Sequence, residues 1–297
     1  MEKINKKETQ VRTVIFKILV YSFLALFGIF VLIPFYWMIL TSLKDINQIR
    51  GEIPPSLIIG FKEMKFWENY SAAWVAAPYW RFMVNTLLVS AISTTGTVFT
   101  TIFASFAFAR LNFKGRDILF MVLISTMMIP GEMFVITNYG TVSNLGWFSP
   151  LEQTFGQAIM ALTMPFMTSV FYIFFLRQTF KQIPDELYLA AKVDGTTDWK
   201  YLWKIMVPMA SPTIITITIL NAMGTWSAYI WPTLVTKNEE YRLVSNGLRG
   251  AYTEFGGQVL YNQQMAAALL VTAPLLVAFI FLRQYIMRGV SRSGIKG

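Results

Sequence analysis

The chain has 297 residues, 55% of them hydrophobic and 14% charged, with a formal net charge of +9. A soluble domain runs nearer about half apolar and about a quarter charged, so this balance points to lipid. There is no Cys and no His, which excludes disulfides, thiolate metal sites, thiol nucleophiles and imidazole acid–base chemistry.

A helix that crosses a bilayer needs about 20 mainly apolar residues at about 1.5 Å of rise each. The first such run, residues 18–43, carries no charge and follows a basic start of Lys3, Lys6, Lys7, Arg12 and Lys17. It is longer than the apolar core of a secretory signal and no small-residue cleavage site follows, so an uncleaved helix is predicted. Runs at 82–109, 118–138, 153–176, 205–236 and 263–282 complete six predicted spans. The third is interrupted by Pro130, Gly131 and Glu132, where a helix breaks. The fifth has Pro208 and Pro212 near its start and Pro232 near its end, and the sixth contains Pro274. Barrel strands alternate apolar and polar over about ten residues. These runs are continuous and longer, so the predicted class is all-α and polytopic, with 1–297 forming one transmembrane domain without internal repeats.

Cytoplasmic loops carry the excess of Lys and Arg. With the N-terminus inside, 17 of the 25 basic residues fall on the cytoplasmic side, against 7 of the 16 acids. The positive charge is then a topology signal, and no nucleic-acid partner is needed to account for it. Both termini are expected in the cytoplasm, with the chain in the cell membrane and in contact with its lipid. Residues 44–81, with Pro54, Pro55, Trp67, Trp74 and Trp80, and residues 237–262 form long outer loops. Each is long enough to touch a soluble partner or to lie along the interface.

The cytoplasmic loop at about 181–204 is the most informative stretch. Pro184 suits a first helical position, and Asp185 and Glu186 follow where the helix dipole favours negative charge. Leu187, Ala190, Ala191 and Asp194 share a face by three- and four-residue spacing, and the two alanines let another surface come close. Asp194-Gly195 is a helix stop, and Thr196, Thr197 and Asp198 are capping types for a second helix. That helix carries Trp199, Leu202 and Trp203 towards Pro208. On local pattern, a docking element and a plain amphipathic connector both fit.

This segment resembles the EAA loop of ABC importer permeases, whose pattern is Glu-Ala-Ala, three residues, Gly, nine residues, Ile, one residue, Leu-Pro. Ala190, Ala191 and Gly195 match, Ile205 matches the Ile, and Val207-Pro208 stands for Leu-Pro. Leu189 stands where the family has Glu, with Asp185, Glu186 and Asp194 nearby. Trp80 to Thr86, Phe175 to Gln178, Arg288-Gly289 and Gly294 to Gly297 are similar to the second permease of the oligosaccharide, or maltose-type, class. The resemblance implies the transmembrane domain of that family. It implies a homologous second permease, two ATPase subunits that hold ATP and Mg, and an extracytoplasmic solute-binding protein. The implied substrate is a sugar or oligosaccharide, with a glycerol-phosphate-type permease as the neighbouring alternative. Glu186, Leu189, Ala190, Ala191, Asp194 and Gly195 are then the ATPase-coupling residues. The chain itself is expected to hold no catalytic residue, metal or cofactor.

No Gly-x4-Gly-Lys-Ser/Thr sequence is present to cradle ATP phosphates. Phe255 to Gln258 is similar to the ABC signature, but without a Walker sequence it reads as chance. Glu132 is either a path residue or a helix end at the outer interface. Asn221, Trp226, Tyr229 and Trp231 offer the amide, hydroxyl and aromatic faces that a sugar needs, or they join helices to one another. No span carries Lys or Arg in its interior, which favours a neutral sugar. A secondary transporter would show ion-coupling residues at mid-membrane. A membrane enzyme would need His, Cys or clustered carboxylates in the spans.

Overall fold

The computed structural model describes residues 2–149, 151–253 and 260–291, and side chains within 12–149, 151–252 and 260–284. The stretch Phe255 to Gln258 and the tail Gly294 to Gly297 lie outside the described residues, as do the side chains of Lys3, Lys6, Lys7 and Arg288. Among the described residues every regular element is helical. In chain order the α-helices are α1 (Glu2–Leu43), α2 (Ile46–Gly51), α3 (Phe66–Val75), α4 (Tyr79–Arg110), α5 (Arg116–Ser125) and α6 (Phe134–Asn144). They continue as α7 (Phe155–Thr163), α8 (Val170–Gln182), α9 (Asp185–Val193), α10 (Asp198–Tyr201), α11 (Val207–Met209) and α12 (Ser211–Ser227). The last are α13 (Ile230–Val235), α14 (Val244–Thr253) and α15 (Tyr261–Ser291).

Among the described residues three helices are long and apolar enough to cross a membrane: Arg12–Leu43, Tyr79–Arg110 and Tyr261–Gln284. Three bent pairs bring the number to six if each pair is one span. The pair Arg116–Met128 and Gly131–Asn144 turns by 84° at Pro130, the break its proline and glycine predict. The predicted fourth span was a continuous run, yet Phe155–Phe166 and Val170–Gln182 meet at 51°. The predicted fifth span is also not one helix: Asp198–Met209 and Ser211–Ser227 meet at 78°, and α13 begins after a second interruption at Tyr229. Pro208 and Pro212 flank Ala210, so two backbone donors are missing around that bend. The segment Leu202–Met206 just before it is a π-turn, as expected where a proline disturbs the i to i−4 ladder.

The chain forms two compact units, 1–76 with 256–270, and 77–255 with 271–297. In the first, α1 ends in a polar knot. Asn69 on α3 donates to the carbonyls of Ser42 at 2.8 Å and Lys44 at 2.9 Å, and accepts from Asn262 at 2.8 Å. The nearly buried Lys44 pairs with Glu52, whose carboxyl is held below the usual range by that bond and by the Ser56 N–H.

In the second unit α4 is the central post, packed by α8 and α12. Its buried face is a stripe of Thr86, Ser90, Ser93, Thr97, Thr101 and Ser105. Small residues at this spacing let helices approach closely in lipid. The hydroxyls also repair the break before α8. Thr97 donates to the Phe166 carbonyl at 2.9 Å, Thr100 to Met167 at 2.7 Å, and Ser105 to Ile173 at 2.9 Å. Backbone carbonyls freed at a break in a span need such partners, since lipid offers none.

Candidate functional site

The loop at 181–204 folds as two short helices joined by a glycine elbow. After α9 the Gly195 N–H donates to the Lys192 carbonyl at 3.1 Å and the Thr196 N–H to that of Ala191 at 2.8 Å. Gly195 sits at φ +70°. This is a Schellman stop, which favours glycine because a Cβ is penalised at positive φ. The Thr197 hydroxyl then accepts from the Lys200 N–H and starts α10.

One strap ties the elbow to α4, and a second closes it on itself. Arg110, buried at the end of α4, donates to the carbonyls of Phe180, at 2.8 Å, and Ile183 and forms an ion pair with Asp185. On the other side Asp198 accepts from the Tyr188 hydroxyl at 2.7 Å and pairs with Lys192 at 2.7 Å. That bond holds the Lys192 ammonium above its ordinary pKa, and burial, with Asp198 beside it, raises the Tyr188 phenol. Arg177, towards the C-terminal end of α8, donates to the Phe108 carbonyl at 3.1 Å, with its guanidinium 3.7 Å from the centroid of the Phe120 ring. None of these straps was visible in the residue pattern, because each joins positions distant in sequence or hidden within one loop.

The structure separates the two motif alanines. Ala191 is 7% exposed and packs into a cluster with Phe180, Ile183, Tyr201, Leu202 and Met206. The surface that comes close to it is therefore the chain's own, which corrects the expectation that both alanines face a partner. Ala190 is exposed, and so are Glu186, Leu187, Asp194 and Gly195. Leu189 is 62% and Val193 87% exposed. The exposed side of α9 thus carries Leu187, Leu189, Ala190 and Val193, with Asp185 and Glu186 at its start and Lys192 and Asp194 at its end.

The path candidates also separate. Trp231 is buried in a cluster with Val89, Ala161 and Leu162, and its indole N–H donates to the Ala161 carbonyl at 3.0 Å. It packs edge-on to Phe166 and has neither a free face nor a free donor, so its reading as a path residue is corrected to a packing one. Asn221 donates to the Thr94 hydroxyl at 3.0 Å and joins α12 to α4. Trp226 and Tyr229 are half-buried. Glu132 is exposed in the short turn Gly131–Met133 that follows the bend. Among the described residues no group of three or more metal-ligating side chains is gathered.

A family model described as "Binding-protein-dependent transport system inner membrane component" matches residues 96–292. The chain is 31% identical to the probable ABC transporter permease protein MG189 homolog of Mycoplasma pneumoniae, covering 95% of this chain and 89% of that protein. It is 26% identical to the sn-glycerol-3-phosphate transport system permease protein UgpE of Yersinia pestis, over 88% of this chain and 90% of the other. It is 24% identical to the arabinooligosaccharides transport system permease protein AraQ of Bacillus subtilis, over 95% and 97%. A solved chain of a bacterial ABC transporter involved in the import of the acidic polysaccharide alginate has the same fold. The TM-score is 0.78 at 19% identity, over 91% of this chain and 96% of that one.

Proposed function

This chain belongs to the family of inner membrane components of binding-protein-dependent transport systems, and from that premise we propose that it forms half of the path of an ABC importer for a sugar or oligosaccharide. A homologous permease supplies the other half. Two ATPase subunits hold ATP and Mg on the cytoplasmic side, where both termini also lie, and an extracytoplasmic binding protein delivers the substrate. The relatives that carry arabinooligosaccharides and sn-glycerol-3-phosphate by name support a carbohydrate or its phosphate.

The observation that carries this reading is the elbow of α9 and Gly195. It presents Leu187, Leu189, Ala190 and Val193 outward, while Arg110 ties it to α4 and the cluster around Ala191 ties it to the segment leading into α12. A surface that is apolar, rigid and strapped to two spanning elements can pass a push from a partner into the membrane. Closure of the ATPases then shifts the population of inward- and outward-open states through this point. Because Leu189 replaces the family Glu, the contact at that position is apolar. Trp226 and Tyr229 are the path residues on this side.

The test is Leu189→Asp combined with Val193→Asp in the assembled complex. Both side chains are exposed, so insertion and melting should match wild type, whereas substrate-stimulated ATPase activity and uptake should be lost. Wild-type coupling in this variant would make the loop a plain connector and remove the main support for the reading.

A further inference from the structure

Between α2 and α3 the chain runs from Ile53 to Phe61 without a charged residue. Ile53 is 92% and Phe61 89% exposed, and Leu57 and Ile58 are exposed as well. So many bare apolar side chains on one short loop mark a contact surface. The loop's position shows which one. The Tyr36 hydroxyl on α1 donates to the Leu57 carbonyl, and Pro55 lines one cavity with Trp37 and Leu40. The helix α1 ends at Leu43. At about 1.5 Å of rise per residue, Tyr36 lies about 10 Å back from that end. The loop therefore doubles back along α1, to a level inside the charge-free run, instead of standing off into water.

The doubled-back segment brings its own polar partners. Pro54 and Pro55 have no N–H to satisfy. The Ser56 N–H donates to the Glu52 carboxylate at 3.0 Å, and the Lys44 ammonium donates to the Ser56 carbonyl at 2.7 Å. The Ser56 hydroxyl donates to the Ile58 carbonyl and accepts from the Ile58 N–H at 3.2 Å. The Lys44 side chain is nearly buried and paired with Glu52, so its charge is compensated where it lies. Irregular backbone and ionisable groups persist at membrane depth when they are partnered in this way. The next charges along the chain, Lys62, Glu63 and Lys65, mark its return to the aqueous side.

We propose that residues 53–61 form a re-entrant segment whose exposed apolar side chains lie in lipid, at the headgroup–acyl boundary of the leaflet where α1 ends. The proposal goes beyond the permease reading and rests on it only for the side, which is the outer one in that topology. Interfacial segments bury their apolar groups about 5–10 Å into this boundary, which is the depth that the Tyr36 tie sets. Phe35, Tyr36 and Ile39 of α1 are also exposed at this level, so the segment and the helix offer apolar surface at one depth. A soluble partner arriving from water meets the charged stretch from Lys62 to Glu68 before it reaches Ile53 or Ile58. The segment thus acts as an anchor that fixes the depth of α1.

The experiment places single nitroxide labels at Ile53→Cys, at Ile58→Cys and, as the aqueous control, at Glu63→Cys. Each variant is the full chain, purified with its partner subunits into lipid nanodiscs. Collisions with oxygen, which concentrates in lipid, and with a water-soluble nickel chelate report depth. The ratio of oxygen to chelate collisions should be higher at 53 and 58 than at 63. Calibrated against labelled lipids, the first two positions should lie about 5–10 Å below the headgroups. Chelate collisions as frequent at 53 and 58 as at 63 would place the segment in water and overturn the proposal. Few collisions with either reagent at 53 and 58 would overturn it in favour of a protein cover, whether second permease or binding protein. Uptake by the same labelled complexes tests the permease reading separately, because an anchor in lipid does not require the chain to transport anything.

Discussion

Both ends of α4 hold a connecting segment, and they do so with different chemistry. At its C-terminal end the buried Arg110 grips two carbonyls and a carboxylate of the 181–204 loop. At its N-terminal end the neutral, buried Asn85 and Thr86 hold the 237–250 segment by ordinary hydrogen bonds, while the guanidinium there, Arg81, pairs with Glu240 at 2.7 Å with both side chains exposed. A guanidinium presents several donors in one fixed plane, so it locks two elements together with a single side chain. The neutral clamp divides the same task among separate bonds, each worth about 1 kcal/mol net. The end to which the proposed coupling role belongs is thus held by a buried strut, and the other end by neutral ties.

The sharpest way to break this contrast is Arg110→Ala. It leaves the Ile183 carbonyl without its side-chain donor and the Phe180 carbonyl with the Ile183 N–H alone, and a buried group left unsatisfied costs about 1–3 kcal/mol. The chain should lose about 2–4 kcal/mol by thermal or denaturant unfolding in detergent, with coupling abolished. The Asp185 side chain is 78% exposed, so Asp185→Asn should shift stability by less than about 1 kcal/mol. Equal losses in the two variants would show that the ion pair, not the carbonyl grip, is the strut.

Asn85→Ala should have the smaller effect at the other end, about 1–2 kcal/mol for the two bonds it removes. A loss as large as that of Arg110→Ala would erase the distinction between strut and tie.

The smallest expected effect comes from Lys192. Its ammonium is held above the ordinary lysine value by Asp198, so any stability it adds is present below about pH 10.5 and disappears as the pH rises through the raised value. Both partners are well exposed, which keeps the effect small. Melting of the wild type should therefore be flat around neutral pH and dip slightly in strong alkali, and Lys192→Met should remove that alkaline dip. A change near neutral pH would mean that another group governs the loop.

Much of the fold was legible as charge-free runs, because α1, α4 and α15 need only length and apolar content. The bend between α7 and α8 was not. The sequence Met164-Pro165-Phe166 signals it, but a proline in a span is tolerated or disruptive according to which neighbours meet the freed carbonyls. Those neighbours, Thr97 and Thr100, lie nearly seventy residues away. The elbow at Gly195 was legible from its spacing, since a helix stop needs only local chemistry. The faces of α9 were not, because spacing sorts residues onto faces without saying which one the chain's own core will cover. Ala191 went inward for that reason, and Trp231 likewise became core.

The central claim is that the outward face of α9 meets an ATPase subunit, and the absence of native cysteine makes it directly measurable. Single cysteines placed as Leu189→Cys and as Ala191→Cys, each in the complete complex, can be probed with a short thiol-to-amine cross-linker, which joins the introduced thiol to a lysine of a neighbouring subunit. The exposed position should form a cross-linked species with the ATPase subunit, more strongly when ATP closes it, and the buried position should not. Cross-linking of neither position, or of both equally, would contradict the account.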